Sequence, residues 1–265
     1  MRTLLKTRPR WLGCMAALAL VLLTLFPATA PAGWEVKSLV RQGGANGALE
    51  YRRYSLGAAD SAKQVELQLA LFSRQKATLR VLDQPGSERD LAEVMAGKKF
   101  LAGVNGGYFD PEGAPVGLLI SGGKTISPFR KARLLSGVLA ARPGKIEIFR
   151  ASEFPRRGAW REAVQCGPFL VDHGKSVAGL DDTRSARRTF VLTTSDGRVA
   201  LGYCAPVTLA RLAEILSALA PLKVAKALNL DGGSSSAFWC RTSEETISIS
   251  SFKSVRDFVA IAPLD

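Results

Sequence analysis

The chain has 265 residues, 47% of them hydrophobic and 22% charged, with a formal net charge of +13. That length and balance suit one sizeable core and exclude a chain divided by repeats, low-complexity tracts or a long linker. The positive surplus favours anionic partners in general, and no run of five or six like charges marks a basic tail.

The first 32 residues stand apart from that core. Arg2, Lys6, Arg8 and Arg10 form a basic start, Met15 to Phe26 is apolar, and Ala28-Thr29-Ala30-Pro31-Ala32 supplies small residues for cleavage. This is the pattern of an export signal. Pro31 disfavours a cut after Ala30, so the cut is placed after Ala32. The alternative, an uncleaved anchor, is disfavoured because an apolar run of about twelve residues is short for a bilayer. Cys14 precedes the apolar region and so does not suit a lipid-anchored cysteine. Removing the segment takes four cations with it and lowers the net charge to about +9. The expectation is a periplasmic or secreted protein with no stable membrane span after cleavage. Its anionic partners would be glycans, teichoic-type polymers, lipopolysaccharide or headgroups, not nucleic acid, although a solvated basic surface accounts for most of the charges.

Beyond the signal, apolar or alternating runs predict strands at Trp34-Arg41, Leu49-Tyr54, Val65-Phe72 and Thr78-Leu82. Residues 33–60 read as an N-terminal lead-in and 61–265 as the main domain. Ser87 is placed to cap a helix through Ala96, with Glu88 and Asp90 in its first turn. Strands follow at Phe100-Val104, Val116-Ser121, Leu134-Ala140 and Lys145-Phe149. Further strands are expected at Pro168-Val171, Thr189-Thr194 and Val199-Cys204. Thr208 caps a second predicted helix, Leu209 to Ala220, whose Leu209, Leu212, Ala213, Leu216 and Leu219 keep helical spacing and which Pro221 ends. A strand from Val224 to Leu230 and a last one from Phe258 to Ala262 complete the chain. Many strands and two helices predict an α+β domain with a mixed, mostly antiparallel sheet.

Three cysteines follow the signal: Cys166, Cys204 and Cys240. Export permits a disulfide, and the odd count leaves one over; the pairing stays open. Cys166 lies seven residues before His173, the sole histidine, but a dyad rarely forms between partners so close in sequence. One histidine and scattered cysteines show no zinc spacing.

The densest signal is Asn229-Leu230-Asp231-Gly232-Gly233-Ser234-Ser235-Ser236, where an apolar strand stops and small polar residues begin. A strand tip leading into a glycine-rich turn is a common place for a ligand site, although a turn in which Asp231 bonds its own backbone explains it equally well. A second apolar run ends similarly, in Asn105-Gly106-Gly107-Tyr108-Phe109-Asp110. Two such ends are able to converge on one pocket.

Together these motifs resemble those of the phosphodiester glycosidase family, which includes the lysosomal "uncovering" enzyme that removes N-acetylglucosamine from a sugar phosphodiester. Ser234 departs from the pattern, standing where the family has a third glycine. Gly113 to Gly123 is similar to the family's Pro-x-Gly, strand and turn; Gln165-Cys166-Gly167-Pro168-Phe169-Leu170-Val171 is similar to its Gly-Pro-x-Leu-Val strand. Arg187-Arg188-Thr189 with Asp196-Gly197-Arg198 is similar to its Arg-Thr strand ending in Asp-Gly-Arg, which aligns Arg188 with the family arginine; Arg184 or Arg187 can take that place. Taken singly, each segment is an ordinary turn, strand start or edge arginine; their order carries the resemblance, over roughly Val65 to Ala262.

The chemistry that the resemblance implies suits these residue types. Asp231 is the expected nucleophile, base or stabiliser of an oxocarbenium-like state. Arg188 would offer a planar fork to phosphate oxygens. Backbone N–H groups at Gly106, Gly107, Gly232 and Gly233 would approach the anion, since no Cβ intervenes. Asn105 and Asn229 would orient hydroxyls or the carboxylate, Tyr108 would stack on a sugar, and Gln165, Ser234 and Ser235 would line the site. Asp110 is the second candidate carboxylate. No cofactor is demanded, although Ca²⁺ or Mg²⁺ at Asp231 is chemically conceivable. Two other readings compete. One is a non-catalytic glycan-binding or exopolysaccharide-assembly protein on the same fold. The other is a serine hydrolase using Ser234, Ser235 or Ser236 with His173, against which stands the absence of a Gly-x-Ser-x-Gly elbow.

Overall fold

The computed structural model describes residues 33–44, 47–58, 64–97 and 99–264; the expected signal segment lies outside them. In chain order come β1 (Trp34–Gly43), β2 (Leu49–Ala58), β3 (Gln64–Ser73), β4 (Ala77–Asp83) and α1 (Leu91–Ala96). Next are β5 (Ala102–Asn105), β6 (Leu119–Ser121), β7 (Lys124–Ser127), β8 (Gly137–Arg142), β9 (Lys145–Arg150) and β10 (Glu162–Cys166). After these follow β11 (Phe169–Asp172), β12 (Lys175–Ser176), β13 (Ala186–Thr194), β14 (Arg198–Val207) and α2 (Leu209–Ala218). The chain closes with β15 (Val224–Asn229), a single 3-10 turn at Gly233–Ser235, β16 (Phe238–Arg241), β17 (Thr246–Ile249) and β18 (Asp257–Pro263).

The strands form three antiparallel sheets: β1-β2-β3-β14-β13-β15-β11-β12, β7-β6-β10-β8-β9, and β17-β16-β5-β18-β4. The expected class, a mostly antiparallel α+β fold with few helices, is the one observed. The central core is shared by all three sheets. Phe72, Val191 and Leu201 come from the first, Leu139, Ile148 and Val164 from the second, and Val104, Phe238 and Val259 from the third. Helix α2 covers the outer face of the large sheet with Leu212, Ile215 and Leu216, each fully buried against Leu69, Leu71, Phe190 and Leu192. Each such aliphatic side chain contributes roughly 1.5–3 kcal/mol of burial. Helix α1 covers the third sheet in the same way, with Leu91, Val94 and Met95 against Trp239 and Phe258.

Several local expectations are corrected. Ser87 does not cap a helix; it sits at φ +48° in a turn closed by its own N–H on the Gln84 carbonyl. Asp90 caps α1 instead, in a reciprocal box with Glu93. The strand expected from Leu134 starts only at Gly137, because residues before it are held by side chains and not by a ladder. Of Val116-Ser121 only Leu119–Ser121 is strand. Strand β10 was hidden by Glu162 and Gln165, polar residues that are buried here because Gln165 is bonded to backbone and Glu162 to two backbone N–H groups and to Arg80. Within residues 33–60, β1 pairs with β2, with a shift between Val36 and Ser38, and β2 pairs with β3 and buries Tyr51, Tyr54 and Leu56. The three cysteines are buried and unbridged. His173 stands in the turn after β11 with its side chain 87% exposed.

Candidate functional site

β5 belongs to the third sheet and β15 to the first, and the two face each other across the shared core. Their ends therefore meet. The Asp231 N–H donates to the Gly106 carbonyl at 3.0 Å, and Asn105 Nδ2 donates to the Asp231 carbonyl at 2.7 Å. The two glycine-rich tips are one structure.

Asn105 is the joint. It is 0% exposed, and its Oδ1 also accepts from Thr189 Oγ1 at 2.8 Å and from the Ala237 N–H at 3.0 Å. Its amide thus ties three segments together and is bonded to the Asp231 backbone. Gln165 is held in the same way. It accepts from the N–H groups of Leu118 and Arg130 and donates to the carbonyls of Arg130 and Leu135, leaving nothing for a ligand. Asn229 is buried too, donating to Gly167 O at 2.9 Å and Leu230 O at 2.6 Å, while its Oδ1 has no partner. Tyr108 is half-buried; its hydroxyl donates to the Gly167 carbonyl and accepts from Asn229.

Asp110 lies at the end of the first tip, where its Oδ1 accepts from the Ala114 N–H at 2.7 Å and closes its own turn. A further carboxylate packed against that tip, Asp257, is one that the sequence reading missed. Asp257 is 1% exposed at the start of β18 and receives both N–H groups of the first tip: Gly106 donates to its carbonyl at 2.8 Å and Gly107 to its Oδ1 at 3.0 Å. A Cβ on Gly106 would collide with that carboxylate, so the glycine is required by close approach. Burial, resisted by the Gly107 N–H and reinforced by Asp83 and Asp231, pushes the Asp257 carboxyl up to about 7. Its Oδ2 has no partner.

These bonds also revise the expected anion donors. Gly106, Gly107 and Gly232 all direct their N–H groups to Asp257 or Asp231, the last at 2.9 Å to Asp231 Oδ1. Arg188 is likewise committed. It is 8% exposed, with Nε on the Val207 carbonyl at 2.9 Å and Nη2 on the Arg184 carbonyl at 2.5 Å. No two-pronged fork remains; Nη1 is left, near Gly232. Burial lowers the Arg188 pKa, against the pull of Asp181 and Tyr108.

The outward face of the joint is built by the second tip. Asp231 is half-buried, and burial raises its carboxyl above the usual range. Ser235 Oγ, which approaches it short of full hydrogen-bond geometry, the cation of Lys253 and the Gly232 N–H oppose that rise. Gly233, at φ +65°, opens the 3-10 turn that exposes Ser234 and buries Ser235 and Ser236. Over this turn lies the loop before β18. The Phe252 N–H donates to the Ser234 carbonyl at 2.7 Å, and Arg187 stacks on the Phe252 ring at 3.8 Å while holding the Gly233 and Ser250 carbonyls. Phe252 is nonetheless 80% exposed. Neither Phe252 nor Lys253 carried a signal in sequence, since both lie in a loop without a motif.

The expected convergence of the two glycine-rich tips is what the geometry shows, at the bonds from Asp231 to Gly106 and from Asn105 to Asp231. Among the described residues no group of three His, Cys, Asp or Glu side chains is placed to hold a metal ion. Burial pushes the Cys166 thiol up, so it offers no thiolate nucleophile. Among the described residues no helix is long and apolar enough to cross a membrane.

Comparison with known proteins places this arrangement. A family model described as phosphodiester glycosidase matches residues 98–261. The catalytic domain of zebrafish N-acetylglucosamine-1-phosphodiester alpha-N-acetylglucosaminidase, auto-inhibited by its pro-peptide, is similar with a TM-score of 0.62 and 17% identity, over 86% of this chain and 88% of that one. A hypothetical protein from Synechocystis is similar with a TM-score of 0.63 and 14% identity, over 81% of this chain; the match spans 62% of that chain, under two thirds. A putative exported protein from Burkholderia pseudomallei is similar with a TM-score of 0.55 and 14% identity, over 79% of this chain and 77% of that one. At such identities the likeness shows the fold. No curated protein matches the sequence.

Proposed function

The chain belongs to the phosphodiester glycosidase family, and on that footing we propose that it is an exported hydrolase that cleaves a sugar 1-phosphodiester in a glycan or envelope polymer. The observation that carries this reading is Asp231: a half-buried carboxylate at the joint of both tips, with a cation around it and N–H donors unused among the described residues. The bond from the anomeric carbon to the phosphate oxygen breaks, water supplies the hydroxyl to that carbon, and the phosphate monoester departs. Positive charge develops on the sugar in the transition state, and an adjacent carboxylate stabilises it. The leaving phosphate is already a weak base, so little proton donation is needed. Its charge falls to Lys253, to Arg188 Nη1, and to the N–H groups of Gly233 and Ser234, which have no acceptor among the described residues. Asp257 does not touch substrate; it fixes the first tip, on which the carbonyl of Gly106 holds the Asp231 backbone.

Export is supported by the basic, apolar and small-residue order of the first 32 residues. The test is release of a chromophore from a chromogenic sugar phosphodiester by the purified chain lacking those residues. Turnover that disappears in Asp231→Asn is expected. Tight glycan binding with no turnover in the wild type would instead establish a binding protein on this fold.

A further inference from the structure

Around the loop between β7 and β8 lies a recess of about 460 Å³ bordered by Arg130, Lys131, Arg133, Arg150 and Arg156. No acidic side chain borders it. Arg150 is paired with Asp172 at 2.8 Å, but Arg130, Lys131, Arg133 and Arg156 make no ion pair among the described residues and are exposed. Four unpaired cations around one concavity repel each other and concentrate a positive field.

The loop that carries three of them is held rigidly. All four bonds of the buried Gln165 amide go to Leu118, Arg130 and Leu135, so both ends of the loop are clamped from beneath. Ser136 Oγ accepts from the Phe169 N–H at 2.9 Å, and a Cβ on Gly167 would strike the Leu134 carbonyl. Ser136, which borders the recess, thus packs against Gly167, whose carbonyl accepts from Tyr108 and Asn229. Arg156 lies over the Phe129 ring at 4.2 Å, which orients its charge at the rim.

We propose that this recess is a second binding site, which takes the phosphate-bearing polymer chain that continues beyond the scissile bond. The proposal rests on the hydrolase reading above for the location of the scissile bond. A polyanionic chain fits better than a lipid surface, because the cations line a concavity and do not form a protruding face.

The test compares wild type with Lys131→Ala/Arg133→Ala/Arg156→Ala for binding to a linear glycerol-phosphate polymer, with neutral dextran and phosphatidylglycerol vesicles as controls. Wild type is expected to bind the polymer, not dextran, and to weaken with salt. The triple variant should bind about tenfold more weakly at an ionic strength of about 0.1 M. Lys131→Arg/Arg133→Lys/Arg156→Lys, which keeps the charge, should bind like wild type and separates charge loss from misfolding. Turnover of a small sugar phosphodiester should be equal in all three proteins. Equal polymer binding by wild type and the alanine variant overturns the proposal. So does loss on vesicles as large as on the polymer, which would make the patch a membrane contact. If no protein turns over the small substrate but the polymer effect holds, the recess stands and the hydrolase reading fails.

Discussion

At the first glycine-rich tip the polar groups turn into the protein: Asn105 bonds three segments, Gly106 and Gly107 donate to Asp257, and Asp110 closes its own turn. At the second tip Asp231 is only half-buried, and among the described residues the N–H groups of Gly233 and Ser234 have no acceptor. Both tips follow an apolar strand with Asn, paired Gly and Asp, yet one serves as the shelf and the other as the working edge. The difference comes from what packs behind them. The first tip lies under the buried Asp257, whose carbonyl and carboxylate take up its donors, whereas the second ends in a 3-10 turn at the surface.

The sharpest way to break this contrast is to neutralise each aspartate. Asp231→Asn keeps the shape and removes the charge that a developing oxocarbenium needs. Its kcat on a sugar phosphodiester should fall about a thousandfold or more, with little change in Tm. Asp110→Asn retains an acceptor for the Ala114 N–H and should leave kcat within about threefold of wild type. Equal losses in both variants would mean that the two tips share the chemistry.

Asn105→Ala tests the shelf. It strands the Thr189 hydroxyl, the Ala237 N–H and the Asp231 carbonyl in a fully buried place. A cost of about 3–5 kcal/mol is expected, or a Tm drop of roughly 6–20 °C by calorimetry. A stable variant with reduced affinity for substrate would return Asn105 to the role of ligand contact.

How much of this was legible in sequence follows from the same physics. The convergence of the tips was readable, because two apolar runs ending in the same small polar residues need a common place to end. The antiparallel character and α2 with its Thr208 cap were readable from period and capping chemistry. Roles were less so. Asn105, Gln165 and Arg188 read as polar site residues, but each is buried and bonded to backbone, which depends on segments distant in the chain. Asp257 was invisible for the opposite reason: a lone carboxylate before Phe258-Val259-Ala260 looks like a strand boundary until Gly106 and Gly107 arrive from about 150 residues away. Phe252 and Lys253 lie in a loop whose position is set by the Ser234 carbonyl and Arg187, not by local pattern.

Asp257 also gives the shelf a pH signature. Its carboxyl is at about 7 in the folded protein and near the ordinary value when unfolded. Below about pH 4 both states are protonated, and the fold gains fully from the neutral group. As pH rises from there through about 7, the unfolded chain ionises first, so stability is lost. Asp257→Asn mimics the neutral form and keeps an acceptor for the Gly107 N–H. It should match wild type near pH 4 and melt about 5–10 °C higher at pH 8, flattening the pH dependence of Tm. A variant that is destabilised equally at both pH values would show that the second oxygen is satisfied as a carboxylate.

The smallest effect belongs to the rim of the working edge. Phe252 offers a bare aromatic face beside Ser234, its other face held by Arg187 at 3.8 Å. An exposed ring of that size is ordinarily unfavourable in water, and here it is fixed in place by the Phe252 N–H bond to Ser234 and by the guanidinium. A sugar ring laid on it gains apolar contact in ground state and transition state alike. Such uniform binding changes KM and not kcat. Phe252→Ala should therefore raise KM about three- to tenfold with kcat nearly unchanged, and Phe252→Trp should keep KM at or below wild type. Loss of kcat in the alanine variant would instead mean that the loop, through the Ser234 carbonyl, sets the position of Asp231.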